Sequence, residues 1–128
     1  MEAETTRKKF LVVMSTGADE PRKAFTPFYY AAAAASMDFD TTMFFLAESP
    51  SLLRPGVAET IRTTDEGEPL TKVIDLGRRN GVKFLCCSVS AKVIWNLGDQ
   101  DLPEGMEFAG AATLLEMAAD PSVAVLYF

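Results

Sequence analysis

The chain has 128 residues, 48% apolar and 23% charged, which is enough for about one domain with its own hydrophobic core. Its net charge of −6, with no basic stripe, disfavours nucleic-acid binding, because such binding depends on neutralising phosphates. The chain holds no histidine, which excludes Ser-His-Asp and Cys-His catalysis within it and removes the commonest zinc ligand.

The first third of the chain alternates strand and helix patterns. The continuous apolar run from Lys9 to Ser15 predicts a parallel strand that is covered on both faces. Helical spacing then predicts a helix from about Pro21 to Met37. Pro27 should kink or restart this helix, with Thr26 as a local cap. A second strand is predicted from Thr41 to Ala47.

The least regular stretch runs from Ser49 to Gly67, with a helical turn predicted around Val57 to Ile61. A loop of this length in a small domain is often functional. The next helix should start near Pro69 and end at Asn80-Gly81, which is a favourable C-cap pair. Its predicted inner face consists of Leu70, Val73, Ile74 and Gly77.

Three strand patterns and two helix patterns fill the rest of the chain. They are a strand from Val82 to Cys87, a helix from about Val89 to Leu97 with Ser88 as N-cap, a short strand at Met106 to Phe108, a helix from about Gly110 to Ala119, and a strand from Val123 to Phe128. The last strand is expected to be buried. The last helix should pack through Ala111, Leu114, Leu115 and Ala118. This alternation predicts an α/β fold with a mostly parallel sheet.

Cys86 and Cys87 close the third predicted strand directly before a helix, where backbone N–H groups and the helix dipole favour an anion. A thiolate is a nucleophile, so a thiol at this position can become reactive. Because side chains alternate along a strand, one cysteine should face the core, and Cys87 is predicted to face the cleft. The alternative is that both are core hydrophobes, since free cysteine is among the most buried residue types.

Other candidate residues have two interpretations each. Lys92 lies about one turn into the following helix and either folds back towards a thiolate or is simply solvated. Trp95 and Phe108 either line a cleft or oligomer contact, or pack in the core. Gly17 stands alone after the first strand, and no glycine-rich phosphate-binding motif accompanies it, so a dinucleotide or P-loop site is not expected.

The sequence also predicts the extent of the domain, the location of the protein and its need for a metal or cofactor. Residues 1–8 are predicted to be disordered and residues 9–128 to form a single domain. The apolar run from Phe10 to Met14 is too short for a signal peptide core, and no run approaches a membrane span. A cytoplasmic location is therefore expected. Two cysteines without histidine cannot build a structural zinc site in one subunit, and neither a metal nor a cofactor is expected.

Three segments carry a resemblance to a known family. The first is Gly81-Val-Lys-Phe-Leu-Cys-Cys87 followed by a helix, and the second is the stretch from Glu104 to Asp120 followed by a closing apolar strand. The third is the region from Thr42 to Gly56, a strand that runs into a Leu-rich loop. In their order along the chain, the three segments together resemble the DsrE/DsrF-like family, which includes the TusD and YchN groups. The resemblance extends from Lys9 to Phe128.

The resemblance implies a three-layer α/β/α sandwich with about five strands, homo-oligomers (trimers or hexamers), and cytoplasmic sulfur transfer. It implies that Cys87 holds sulfane sulfur as a persulfide and exchanges it with a TusA-like carrier or another persulfide donor or acceptor, without a cofactor. Cys86 matches a position that is usually an apolar strand residue. Candidates for stabilising the anion are Ser88, Ser90, Ala91 and Lys92, and candidates for lining the cleft are Gly17 and Cys86.

Two other functions fit the same residues. In one, the chain is a non-catalytic oligomeric binding or scaffolding subunit whose cysteines only pack. In the other, Cys87 is a redox sensor that is oxidised to sulfenic acid.

Overall fold

A computed structural model describes residues 9–128, so the disorder predicted for residues 1–8 lies outside the described residues. The sheet has five strands, in chain order β1 (Lys9–Met14), β2 (Asp40–Phe45), β3 (Lys83–Cys87), β4 (Met106–Ala109) and β5 (Val123–Tyr127). Its spatial order is β4-β3-β2-β1-β5, and every pairing is parallel. The helices are α1 (Pro21–Ser36), α2 (Leu70–Arg79) and α3 (Ala111–Ala119). The predicted α/β class is confirmed.

Helices cover both faces of this sheet, which gives the three layers. The large core lies between the sheet and helices α1 and α2, and its fully buried members include Met14, Phe28, Phe45, Leu52 and Leu70. The second core is smaller and lies under α3, with Leu11, Val13, Phe44 and Val123 as its buried members. The predicted three-layer sandwich is therefore confirmed, with most of the buried apolar surface on the α1/α2 side.

Helix α1 continues through Pro27 without the predicted restart, so Thr26 caps nothing. A proline in a helix interior removes one hydrogen bond and crowds the preceding turn. Here Pro27 is buried together with its neighbours Phe25 and Phe28. Burial of this apolar face against the sheet offsets the missing bond, and the helix remains continuous.

The irregular region after β2 contains two short stretches of 3-10 helix, Ser49–Leu53 and Ala58–Thr60. The second coincides with the turn predicted around Val57 to Ile61. Helix α2 buries the predicted inner face in full: Leu70, Val73, Ile74 and Gly77. The helix ends at Arg79 with Asn80 as its C-cap, and Gly81 adopts φ +91°, a left-handed conformation that glycine reaches without strain.

Two expectations for the C-terminal elements are wrong. Helix α3 packs through Leu114 and Met117, whereas Ala111 and Ala118 are exposed and Leu115 is 66% exposed. This helix is apolar on several sides, so spacing alone does not select its inner face. The strand β5 is not buried along its length, because it is the edge strand beside β1.

Candidate functional site

The two adjacent cysteines at the end of β3 lie on opposite faces of the sheet, as the alternation of side chains requires. Cys86 is fully buried in the large core on the α1/α2 side. Cys87 is partly exposed and packs at the margin of the smaller core, on the α3 side. The strand therefore gives one thiol to the interior and the other to the carboxyl edge of the sheet.

Burial makes Cys86 a poor nucleophile. Desolvation by burial, together with a smaller effect of the neighbouring Cys87 charge, raises the pKa of the Cys86 thiol from 9.0 to about 12. The Sγ atom of Cys86 lies 4.0 Å from the carbonyl oxygen of Cys87, a contact that suits the protonated thiol as a weak donor. Cys86 thus stays neutral over the ordinary range of pH, and it lines the core rather than the cleft proposed for it.

The surroundings of Cys87 are the first turns of two helices. A helical segment begins at Ser88, directly after the cysteine, and Ser88 itself is partly exposed. On the other side, Ala109 at the end of β4 is paired in register with Cys87, and Gly110 then caps α3. The first N–H groups of a helix lack partners within it and carry partial positive charge. Cys87 therefore ends its strand beside the starts of two helical segments.

The helix after β3 is shorter than predicted. It runs from Ser88 to Ile94, and its last five residues form a π-helical turn, Ser90–Ile94. It stops because Asn96 adopts a left-handed conformation with φ +56°, and the N–H of Leu97 donates to the carbonyl of Ala91 at 2.9 Å. Asparagine tolerates this conformation better than most residues, so the expected extension to Leu97 is replaced by a C-cap.

Ser90 joins this helix to the end of β2. Its buried hydroxyl accepts a hydrogen bond from the N–H of Ala47 at 3.0 Å, and the indole N–H of Trp95 donates to the carbonyl of Ala47 at 2.8 Å. Ala47 has a left-handed backbone with φ +57°. Two side chains therefore hold the backbone of one left-handed residue, and the Ser90 hydroxyl is engaged in this contact. We call this arrangement the Ala47 clamp.

Lys92 is directed away from Cys87. Its ammonium group lies 4.6 Å from the centre of the Phe108 ring and 4.0 Å from a carboxylate oxygen of Asp99. Phe108 is paired in register with Cys86 and packs against the large core, on the α1/α2 side. The Lys92 side chain is 52% exposed, so it is a solvated residue with a cation–π contact. Phe108 and Trp95 both pack against the large core.

Gly17 allows the loop after β1 to lie in close contact with the loop after β2. A Cβ atom at this position would lie 2.6 Å from the carbonyl oxygen of Glu48, a distance that no side chain tolerates. Next to it, the N–H of Ala18 donates to the Ser51 hydroxyl at 3.1 Å. Gly17 is buried in this contact, so the structure assigns it a packing role rather than an open cleft.

Ala91 also lies in the interior, since it is fully buried in the large core. Only its backbone N–H is left to act in the first turn of the helix. The sequence did not reveal the Ala47 clamp, although one signal was present: an indole N–H in a mostly buried position usually finds a partner.

Within residues 9–128, no group of three His, Cys, Asp or Glu side chains lies close enough to hold a metal ion. In the same range, no helix is long and apolar enough to cross a membrane. The carboxyl edge of the sheet presents one partly exposed thiol, Cys87, beside the starts of two helical segments.

Comparison with known structures supports the fold. YchN of E. coli superposes with a TM-score of 0.75 at 16% identity, over 94% of this chain and 99% of that one. The protein BT1422 of Bacteroides thetaiotaomicron gives a TM-score of 0.67 at 9% identity, over 99% and 100% of the two chains. The protein MTH1491 of Methanobacterium thermoautotrophicum gives 0.63 at 15% identity, over 94% and 99%. At these identities the likeness shows the fold alone.

Comparison of sequences identifies the family. An uncharacterized protein of Methanocaldococcus jannaschii, MJ0760, is 29% identical over 124 residues, which is 94% of this chain but 43% of that protein. The chain thus spans less than half the length of this relative. The profile of the DsrE/DsrF-like family matches residues 8–128, which is nearly the whole sequence. The chain therefore belongs to the DsrE/DsrF-like family.

Proposed function

We propose that the protein is a sulfurtransferase or sulfur carrier that holds sulfane sulfur as a persulfide on Cys87. The observation that carries the proposal is the contrast between the two thiols of one strand. Cys86 is sealed in the core and its pKa is raised to about 12, whereas Cys87 is partly exposed beside two helix N-termini. Membership in the DsrE/DsrF-like family supports a role in sulfur transfer.

The transfer is an exchange between sulfur atoms and needs no oxidant. The Cys87 thiolate attacks the outer sulfur of a donor persulfide, R–S–SH. A bond forms between Cys87 Sγ and that sulfur, and the S–S bond of the donor breaks. The donor leaves as a thiolate and takes up the proton, while Cys87–S–S⁻ remains. An acceptor thiolate then attacks the outer sulfur in the same way, and Cys87 returns to a thiolate.

Backbone N–H groups would stabilise both anions. The candidates are those in the first turn after Cys87, at Ser88, Ser90 and Ala91. The Ser90 side chain contributes indirectly, because its hydroxyl holds Ala47 and so fixes the helix beside the thiol. Lys92 has no direct part in this scheme, since it lies over Phe108 on the other side of the sheet.

The proposal includes the setting in which the exchange occurs. A persulfide relay needs a second protein with a reactive thiol, and a TusA-like carrier is the partner that we propose. The reducing cytoplasm would keep Cys87 as a free thiol between transfers. We also propose a homo-oligomer, as the family resemblance implies.

The test is to incubate the protein with inorganic polysulfide and measure its intact mass before and after treatment with a reductant. The wild type should gain the mass of one or more sulfur atoms and lose it on reduction. Cys87→Ser should gain none. Cys86→Ala is the matched control, because it removes the other thiol of the same strand, and it should load like the wild type.

The alternatives give different outcomes. If the wild type gains no sulfur and its thiols stay unreactive, the proposal fails and a scaffolding role remains. If Cys87 forms an adduct with hydrogen peroxide but not with polysulfide, the protein is a redox sensor instead. If sulfur loads on Cys86 in the Cys87→Ser variant, the assignment of the two thiols is wrong.

A further inference from the structure

We propose that the edge strand β5 pairs with the β5 strand of a second copy of this chain, antiparallel and about a two-fold axis at Val125. The two sheets would then form one continuous sheet of ten strands. This inference is independent of sulfur chemistry, since β5 and β3 are separated by β1 and β2 in the sheet.

The backbone of β5 has one row of hydrogen-bonding groups directed away from the sheet. Ser122 and Phe128 turn their carbonyls towards β1, accepting from Lys9 at 3.3 Å and from Ser15 at 2.7 Å, and the N–H of Phe128 donates to β1 at 2.8 Å. In a parallel ladder, every second residue bonds to the same neighbour. The N–H and C=O groups of Val125 and Tyr127 therefore face outward, at the edge.

Side chains on both sides of this edge are apolar and exposed. On the α3 side, Val125 is 43% exposed and Tyr127 is 67% exposed. On the α1 side, a groove of about 310 Å³ runs beside the strand, and almost all of its surface is apolar. Its lining consists of Phe10, Tyr30, Ala33, Ala34, Met37, Phe39 and Leu126. An occupant of this edge must therefore be extended and apolar on both of its faces.

The sequence of β5 itself meets that requirement. The segment Val123-Ala-Val-Leu-Tyr127 contains no charge and no proline, the features that usually protect an edge strand from pairing. The opposite edge differs, because β4 has only four residues and carries the exposed Glu107. One edge is thus protected against strand addition and the other is complementary to a copy of itself.

A two-fold axis at Val125 pairs the outward N–H groups of Val125 and Tyr127 with carbonyls of the second copy. The two Val125 residues form a hydrogen-bonded pair, in which each N–H donates to the other's carbonyl and the Cα atoms lie about 5.5 Å apart. The N–H of Tyr127 then donates to the carbonyl of Val123 in the second copy. The N–H of Val123 is not needed, because it already donates to Asp120 at 3.0 Å. The side chains of Val125 face each other, and each Tyr127 covers Val123 of the other copy.

The first experiment measures the oligomeric state of the full chain by light scattering coupled to size-exclusion chromatography. The wild type should be a dimer or a hexamer, since both contain two-fold axes, and Val125→Lys should halve its mass by placing two like charges opposite each other. Leu115→Lys is the control: it adds the same charge at a position that is 66% exposed on helix α3 rather than on the edge strand, and it should leave the mass unchanged. Circular dichroism checks that both variants are folded.

The second experiment uses Val125→Cys in a Cys87→Ser background. A pair of Cα atoms about 5.5 Å apart is within reach of a disulfide, so mild oxidation should give a covalent dimer on a non-reducing gel. Leu115→Cys in the same background should remain monomeric on the gel. A wild-type monomer or trimer, an unchanged mass for Val125→Lys, or equal cross-linking of the two cysteine variants would each overturn the proposal.

Discussion

The two faces of the sheet are built differently, and the difference separates a sealed thiol from a partly exposed one. On the α1/α2 face, Phe28, Phe45 and Leu70 are fully buried in a large continuous core. On the α3 face, none of the nine residues of Ala111–Ala119 is fully buried, and Leu115 is 66% exposed. Most of the buried apolar surface therefore lies on the first face, whereas the second face leaves apolar side chains exposed.

Cys86 and Cys87 are neighbours in the sequence, and their side chains lie on opposite faces of the sheet. The two neighbouring cysteines give a sealed thiol in the large core and a partly exposed thiol at the margin of the smaller core under α3. The strand alternation is therefore sufficient to separate a structural cysteine from a candidate nucleophile. If the two faces differ as described, substitutions and reagents should distinguish them sharply.

The largest expected difference is in thiol reactivity. With its pKa at about 12, the Cys86 thiol holds about a thousandfold less thiolate at neutral pH than a thiol at 9.0. Iodoacetamide should therefore modify Cys87 to completion in the native protein before Cys86 reacts measurably, as read by peptide mass mapping. Under denaturing conditions both residues should react at similar rates. Comparable labelling of the two in the native state would contradict the contrast between them.

Truncating a leucine on each face should give the next largest difference. Leu70→Ala removes a fully buried side chain from the α1/α2 core and should lower the free energy of unfolding by about 2–5 kcal/mol. Leu115→Ala removes an exposed side chain from α3 and should change it by less than about 0.5 kcal/mol in a monomer. Urea denaturation measures both. If Leu115→Ala lowered the free energy of unfolding nearly as much as Leu70→Ala, the α3 face would be as important for stability as the α1/α2 face.

Most of the fold could be predicted from the sequence because the local signals agree with one another. The apolar runs predicted all five strands, and in α2 the spacing of Leu70, Val73, Ile74 and Gly77 predicted the buried face without error. That helix is strongly amphipathic, so only one orientation buries its apolar side. Helix α3 is apolar on several sides, so its spacing alone does not select Leu114 and Met117 as the inner residues.

Long-range features could not be predicted. An apolar strand such as β5 has the same local pattern in the middle of a sheet and at its edge, and only the strand order distinguishes the two. The Ala47 clamp joins Ala47 to Ser90, which lies 43 positions further along the chain, and to Trp95, which lies 48 positions further. The sequence did not decide whether Lys92 reaches a thiolate or is solvated, because its contact with Phe108 on β4 depends on how distant segments pack. Each of these depends on how distant segments meet, which composition and spacing do not specify.

The smallest expected effects test the Ala47 clamp, which fixes the helix beside Cys87. Ser90→Ala leaves the N–H of Ala47 without its partner and should lower the free energy of unfolding by about 1–3 kcal/mol. Ala47→Gly keeps both clamp bonds but relieves the left-handed backbone at φ +57°, so it should raise the free energy of unfolding by about 1 kcal/mol. Urea denaturation of both variants measures the pair. Because the two substitutions act on the same residue in opposite directions, changes of equal sign would show that Ala47 is not held as the geometry implies. If Ser90→Ala also slows iodoacetamide at Cys87 while Ala47→Gly does not, the clamp positions the helix on which that thiol depends.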